Sequence, residues 1–279
     1  MNITFIGGGN MARAIIGGLL DKGYTAEAIG VVELIPEARE RLQRELRVRC
    51  FGSPEQATPF GDLLVMAVKP QQMRSAAAQV APNLSGQLVV SIAAGTRLTD
   101  LSRWLGGHRL LVRCMPNTPA LIGAGVTAIY AAPGVSEAQR ARAAQVLEAV
   151  GTVLWVDDEG LLDPVTAVSG SGPAYVFYFI EAMQQAAVEL GLSPEQARTL
   201  SLQTFLGAAR LAAGSPEPVS VLRERVTSKG GTTEAALASM AADHVREAMV
   251  RAIRAASARA RQLGEELGKD LCLRRSAGY

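Results

Sequence analysis

The chain has 279 residues, enough for two domains that each bury a core of ordinary size, which excludes a small disulfide-stapled scaffold. The formal charge is +2 with both signs spread along the chain, so neither a basic footprint for nucleic acid nor an acidic tail is present. Cys50, Cys114 and Cys272 are odd in number, far apart and without a CxxC pair, which points to reduced thiols; neither a disulfide nor a metal is expected.

In chain order, the first strand signal, "NITFI", starts at Asn2 and leaves no room for a signal peptide, so the expected location is the cytoplasm. It runs into Gly7, Gly8 and Gly9 and then a helical pattern over 10–22, stopped by Gly23. The strand signals "IGVVE", "DLLVMAV", "QLVVSIA", "RLLVRC" and "TVLWVD" follow, with helical patterns over 36–46, 70–80 and 136–150 between them. The last is opened by the capping box of Ser136 and Gln139 and stopped by Gly151. This alternation predicts a mostly parallel sheet covered by helices over residues 1–158.

Beyond that point the strand signals end. Helices are expected near 160–190, 194–213, 218–226, 232–241 and 244–267, with caps such as Ser193-Pro194-Glu195, so residues 159–279 read as an all-helical domain. The longest uncharged apolar segment, 165–180, contains Ser169, Gly170, Ser171, Gly172 and Pro173 and is shorter than the roughly 20 apolar residues of a membrane span; no membrane partner is expected. "AYVFYFIEAM" is apolar almost all round, which suits a helix buried against both its own domain and a second copy, so a homodimer is expected.

Gly7, Gly9 and Ala12 fit G-x-G-x-x-(G/A) between a strand and a helix, the context a dinucleotide fingerprint demands. Gly7 allows the tight turn, Gly9 lets the backbone approach a pyrophosphate, and Ala12 is small enough for close helix–strand packing. Glu33 closes the second strand near the spacing, about 20 residues on, at which a carboxylate bonds the adenosine ribose; it favours NADH over NADPH. Arg39 and Arg41 on the next helix are placed to meet a 2'-phosphate, which leaves both cofactors open.

"AVKPQ", "SIAAG" and "RCMPNTPA" follow later strands and would border the same crevice. Pro116 and Pro119 restrict the backbone around Asn117. In the helical half, "AVSGSGPAY" permits close backbone approach, and "TSKGGTTEA" is a glycine turn feeding a helix N-terminus, an anion cradle suited to a carboxylate. His108 and His244, the only imidazoles, lie in no catalytic context, and the serines lack a His partner, so triad hydrolysis is not expected. No Lys or Arg occurs between Arg142 and Arg198, where hydroxyacid dehydrogenases on a similar two-domain plan carry a catalytic Lys.

The motifs "FIGGGNMA", "AVKP", "VVSIAAG", "RCMPNTPA", "AVSGSGPAYVF" and "GGTTEAA", in this order over nearly the whole chain, resemble pyrroline-5-carboxylate reductase. The resemblance implies an α/β Rossmann domain followed by an all-helical dimerisation domain, with homodimers that assemble further into rings. It implies a small-molecule imino-acid substrate: 1-pyrroline-5-carboxylate, reduced to L-proline by NADPH or NADH in the last step of proline synthesis. Cofactor contacts would come from Ile6, Gly7, Gly8, Gly9, Asn10, Met11, Glu33, Ala67, Val68, Lys69 and Pro70. Ala93, Ala94 and Gly95 would approach the nicotinamide, with Asn117 beside the same crevice. Substrate contacts would come from Ser171, Gly172, Pro173, Gly230, Gly231, Thr232 and Thr233. Thr233, the expected catalytic residue, would bond the ring nitrogen or a water on it, while the Gly230, Gly231 and Thr232 amides hold the carboxylate.

Two features depart from the family pattern. The chain has Ser228-Lys229-Gly230-Gly231 where the family usually has Ser-Pro-Gly-Gly, and an extra residue lies between Pro218 and Leu222, so no role is carried onto Glu217. Two other readings share the plan: a reductase of another imine, and an idle nucleotide-binding regulator. The Gly230–Thr233 turn argues against the regulator, which has no use for a second anion cradle.

Overall fold

The computed structural model describes residues 1–269; Cys272 lies outside the described residues. The described residues divide into two compact units, one of Met1–Ser171 with residues 255–269, the other Gly172–Arg254.

The first unit is built on eight strands: β1 (Ile3–Ile6), β2 (Ile29–Val32), β3 (Arg49–Phe51), β4 (Leu63–Met66), β5 (Leu88–Ser91), β6 (Leu111–Met115), β7 (Gly125–Ala131) and β8 (Gly151–Trp155). They form one sheet in the order β3-β2-β1-β4-β5-β6-β7-β8. All neighbours are parallel except β6 and β7, where Arg113 faces Tyr130 across an antiparallel pair. Helices α1 (Asn10–Asp21), α2 (Pro36–Leu46), α3 (Met73–Val80), α4 (Leu98–Trp104), α5 (Glu137–Leu147) and the short α6 (Leu162–Val165) connect or follow the strands. Successive side chains of a strand go to opposite faces, so Leu63 and Val65 join one buried cluster while Leu64 and Met66 join another. Ile15, Ile16, Leu42 and Val146 cover the first face; Met73, Ala77 and Leu101 cover the second. A parallel sheet buried on both sides explains why its strands read as unbroken apolar runs.

The second unit holds α7 (Gly172–Glu189), α8 (Pro194–Ala213), α9 (Val219–Arg225), α10 (Thr232–Ala242) and the beginning of α11 (Val245–Gly268). Ser193 caps α8 through a capping box with Gln196. In the single chain α7 buries only Ile180, and Val176, Phe177, Tyr178, Leu200 and Leu211 are exposed. The later part of α11 belongs to the first unit, where its glycines seat on the segment after β5: a Cβ on Gly268 would fall 2.5 Å from an Asp100 carboxylate oxygen.

Several elements differ from the sequence expectation. β3, β7 and α4 were not anticipated. The helix expected over 70–80 starts as a 3-10 turn, Pro70–Gln72, ahead of α3. The single helix expected over 160–190 is three pieces: α6, a π-helical turn over Thr166–Gly170, and α7. Gly170 explains the break, since it lies against Met115, whose Cε would be 2.5 Å from any Cβ added there.

Candidate active site

In a doubly wound sheet the ligand crevice lies beyond the carboxyl ends of the strands where the winding reverses, here between β1 and β4. The loops that follow β1, β2, β4, β5 and β6 carry, in turn, residues 6–11, Glu33, residues 67–70, residues 93–95 and Asn117. One edge thus gathers every residue expected to touch the cofactor.

Gly7 has φ +101°, and a Cβ on it would sit 2.8 Å from the Ala67 carbonyl oxygen, so the β1 and β4 loops close on one another at the reversal. Gly8 is sealed from inside, with Leu42 Cδ1 only 2.3 Å from its Cβ position. Gly9 is the opposite case: nothing lies within 4 Å of its Cβ position. Gly9 also begins α1 with no side-chain cap, leaving first-turn amides for an anion. Ala12 is buried against the sheet, where a small residue is needed. An open glycine in front of an uncapped helix start fits a dinucleotide pyrophosphate.

Glu33 is already engaged. Its Oε2 accepts the Gly8 amide at 3.1 Å and its Oε1 the Ile35 amide at 3.0 Å. Arg39 Nη1 donates to the Glu33 carbonyl oxygen at 2.8 Å, which fixes Arg39 beside the strand end. Lys69 is exposed at the entry to the Pro70 turn. Gly95, with φ +74°, is backed by α11: Leu267 Cδ1 lies 3.2 Å from its Cβ position. Asn117 is committed to the protein itself, its Oδ1 accepting the Val126 amide at 2.9 Å and so pinning the start of β7.

The residues expected around the substrate lie on two segments. Ser171 closes the π-helical turn, its amide donating to the Thr166 carbonyl at 2.8 Å, and Gly172 and Pro173 open α7. In the second unit Gly230 has φ +72° and donates its amide to Glu234 Oε2 at 2.6 Å. The Gly231 amide donates to the Ser228 carbonyl at 3.0 Å. Two of the three amides expected to hold a carboxylate are therefore paired within the turn, that of Gly230 by Glu234, which folds back from the third position of α10, and that of Gly231 by the Ser228 carbonyl. The amides free of such bonds are those of Thr232 and Thr233, at a helix start with no side-chain cap.

The family described as "Pyrroline-5-carboxylate reductase dimerisation" matches residues 159–263, and the one described as "NADP oxidoreductase coenzyme F420-dependent" matches residues 2–95. The pyrroline-5-carboxylate reductase of Pseudomonas aeruginosa is 47% identical over 268 residues, 96% of this chain and 98% of the relative. A solved pyrroline-5-carboxylate reductase from Coxiella burnetii superposes with a TM-score of 0.88 at 41% identity, over 94% of this chain and 98% of that one. The Plasmodium falciparum pyrroline carboxylate reductase, solved with NADP bound, gives 0.85 at 28% identity over 95% and 98%. The chain belongs to the pyrroline-5-carboxylate reductase family.

Family membership gives the exposed apolar side chains of α7 and α8 a setting, since both helices fall within the dimerisation match; the chain is built for a homo-oligomer. No helix among the described residues is long and apolar enough to cross a membrane. The two histidines stand apart from the site loops of their own units. His108 precedes β6, at its amino end, and its Nε2 lies 2.9 Å from the Gln87 carbonyl; His244, with φ 51°, turns the chain between α10 and α11. Sequence reasoning missed Arg113 and Glu159, which pair at 3.0 Å beneath the crevice loops. The signal was an arginine inside the apolar strand "RLLVRC", where a charge needs a partner.

Proposed function

We propose that this chain reduces 1-pyrroline-5-carboxylate to L-proline with NADPH or NADH, the closing step of proline biosynthesis, in the cytoplasm. The observation that carries this reading is family membership over both halves of the chain. In this reading residues 1–158 bind the nucleotide, and residues 159–279 bind substrate and build the homodimer, with dimers gathering into a ring.

When bound, the nicotinamide supplies a hydride to C5 of the cyclic imine. The chain would hold that group through the amides of Gly9, Asn10 and Met11 at the pyrophosphate and through Glu33 at the ribose, with Gly8 lining the loop and its amide held by Glu33. Ile6, Gly7 and residues 67–70 shape the crevice floor, and Ala93, Ala94, Gly95 and Asn117 its nicotinamide end. The Thr232 and Thr233 amides take the substrate carboxylate; Gly230 and Gly231 set the turn, and the Gly230 amide joins them once Glu234 yields it. Ser171, Gly172 and Pro173 border the ring.

The Thr233 hydroxyl orients the ring nitrogen, which arrives protonated. With a hydride delivered to C5, the carbon–nitrogen π pair would go to that nitrogen and leave an ordinary amine. No strong general acid is needed, in keeping with a hydroxyl that ionises poorly and with histidines outside the site. Holding donor and acceptor in register supplies most of the acceleration, a source that reaches about 7–11 kcal/mol in well-oriented intramolecular systems.

The test follows nicotinamide absorbance with pyrroline-5-carboxylate and either nucleotide. Turnover is expected, and none with either nucleotide would overturn the reading. Thr233→Val should lower kcat at least about tenfold, the low end for a lost positioning contact, with nucleotide affinity unchanged; an unaltered kcat removes Thr233 from the mechanism.

A further inference from the structure

Three loops that the reductase reading places at the site meet at one buried charge cluster. Arg113, in β6, is 4% exposed between Val112 and Cys114, and a guanidinium held there must be paired. Its Nη1 donates to Glu159 Oε1 at 3.0 Å, and its Nη2 lies 3.8 Å from Asp163 Oδ1. The same Glu159 Oε1 accepts the amide of Leu98 at 2.8 Å. Two carboxylates thus serve one guanidinium, and one oxygen of Glu159 joins two loops that are far apart in sequence.

The positions of these partners give the cluster its meaning. Leu98 begins α4 directly after the Ala93, Ala94 and Gly95 turn. Arg113 leads through Met115 into the Asn117 turn. Glu159 and Asp163 open the segment that passes through the π-helical turn to Ser171. Such single-turn widenings of a helix are uncommon and concentrate at functional sites. The second and third of these segments also touch, the missing Cβ of Gly170 leaving space for Met115. The hydroxyls of Thr96 and Ser169 are buried without a hydrogen-bond partner. An unpaired buried hydroxyl disfavours the conformation that holds it, so other contacts must offset that cost in these loops. The charge cluster at their bases is one such contact, beside the Asn117–Val126 hydrogen bond and the Leu267 side chain behind Gly95.

We propose that Glu159 and Arg113 are positioning residues of the reductase site: through one ion pair at the buried Arg113 they set the loops bearing Gly95, Asn117 and Ser171 in register with each other. This rests on the reductase reading given above. The pyrophosphate and ribose ends of the crevice, at Gly9 and Glu33, do not depend on the pair. Losing it therefore misplaces the nicotinamide end while nucleotide affinity stays nearly intact.

The experiment compares full-length wild type with Glu159→Gln, Glu159→Asp and Glu159→Ala. It measures the folded fraction by circular dichroism, nucleotide Kd by titration, the emission of bound NADH, and kcat with pyrroline-5-carboxylate per folded chain. Glu159→Ala should lose about ten- to a hundredfold in kcat, the cost of an ångström-scale misplacement. Its Kd for NADH should stay within about twofold, because the phosphate end supplies most of the hold. Bound NADH in that variant should emit more like the free nucleotide. Glu159→Gln keeps the side-chain length and an acceptor oxygen, so it should recover most of kcat and the bound emission. Glu159→Asp keeps the charge but falls short, and should fall between Gln and Ala.

If Ala does not fold, the order of Gln above Asp carries the test. Wild-type kcat and emission per folded chain in both Asp and Ala, with only a lower Tm, would overturn the proposal and leave the cluster a stabilising one. A wild type that binds NADH but never turns over the imine would instead overturn the reductase reading, and the positioning role with it.

Discussion

Glu33 carries two backbone hydrogen bonds before any ligand is considered, so it braces the glycine loop, and in the reading proposed above its charge also faces the adenosine ribose. Replacing it should have two separable effects. Glu33→Ala should weaken both nucleotides, because the Gly8 amide loses its acceptor, and should raise the NADPH to NADH ratio of kcat/KM about tenfold, near 1.4 kcal/mol. Steady-state kinetics with each nucleotide decides the point, and an unchanged ratio would free Glu33 of any part in selection. Cys114 poses a different question at the same scale. Burial drives its thiol far above the ordinary value near 9.0, against a smaller opposing pull from Arg113. The folded protein therefore keeps this proton where the unfolded chain releases it. Stability is unaffected below the unfolded value and falls as pH rises through it, by about 1.4 kcal/mol per pH unit from this group. Urea midpoints from pH 8 to 10 should drop less in Cys114→Ala than in wild type; equal drops would show that the thiol ionises in the folded protein. The half-buried Cys50, also raised by desolvation, stays constant in that comparison.

At the scale of elements, the clearest signals were those carried by short-range chemistry. Ser136 with Gln139 and Ser193 with Gln196 form the capping boxes that their spacing advertises. Ser193→Ala should cost about 1 kcal/mol of unfolding free energy. Chemical denaturation measures it, and a loss near zero would mean that Pro194 alone starts α8. The elements that escaped notice lack such chemistry. β3 is three residues long at the sheet edge and carries the exposed Arg49. β7 reads "GVTAIYA", with small residues and a polar Thr127, and it is held in the sheet by pairing with β6 and β8 on either side. The interruption of the helix expected over 160–190 was invisible for the same reason. The apolar pattern runs on through residues 165–170, and the break belongs to Met115, some fifty residues earlier in the chain.

At the scale of the molecule, an isolated chain would leave a broad apolar surface on α7 and α8 in water. Phe177 is 60% exposed and Tyr178 70%. Such a surface is normally covered by a partner, and the dimerisation match spans it. Sedimentation at micromolar concentration should show a dimer or a multiple of one, and Phe177→Glu should weaken that assembly by at least about 2 kcal/mol, the scale of a central interface residue. A wild-type monomer would overturn the assignment.

The sequence by itself determined the two-part organisation, the dinucleotide fingerprint and the family. Those depend on apolar periodicity, glycine placement and local motifs that are present in the chain before it folds. Only the tertiary structure decided which amides of the glycine turn were left for a ligand, how Asn117 is spent, and that Arg113 and Leu98 share one part-buried oxygen of Glu159. The first two are local pairings that residue type does not announce, and the Glu159 bonds span 46 and 61 residues; in each case hydrogen-bond accounting closes only when folding has brought both partners together.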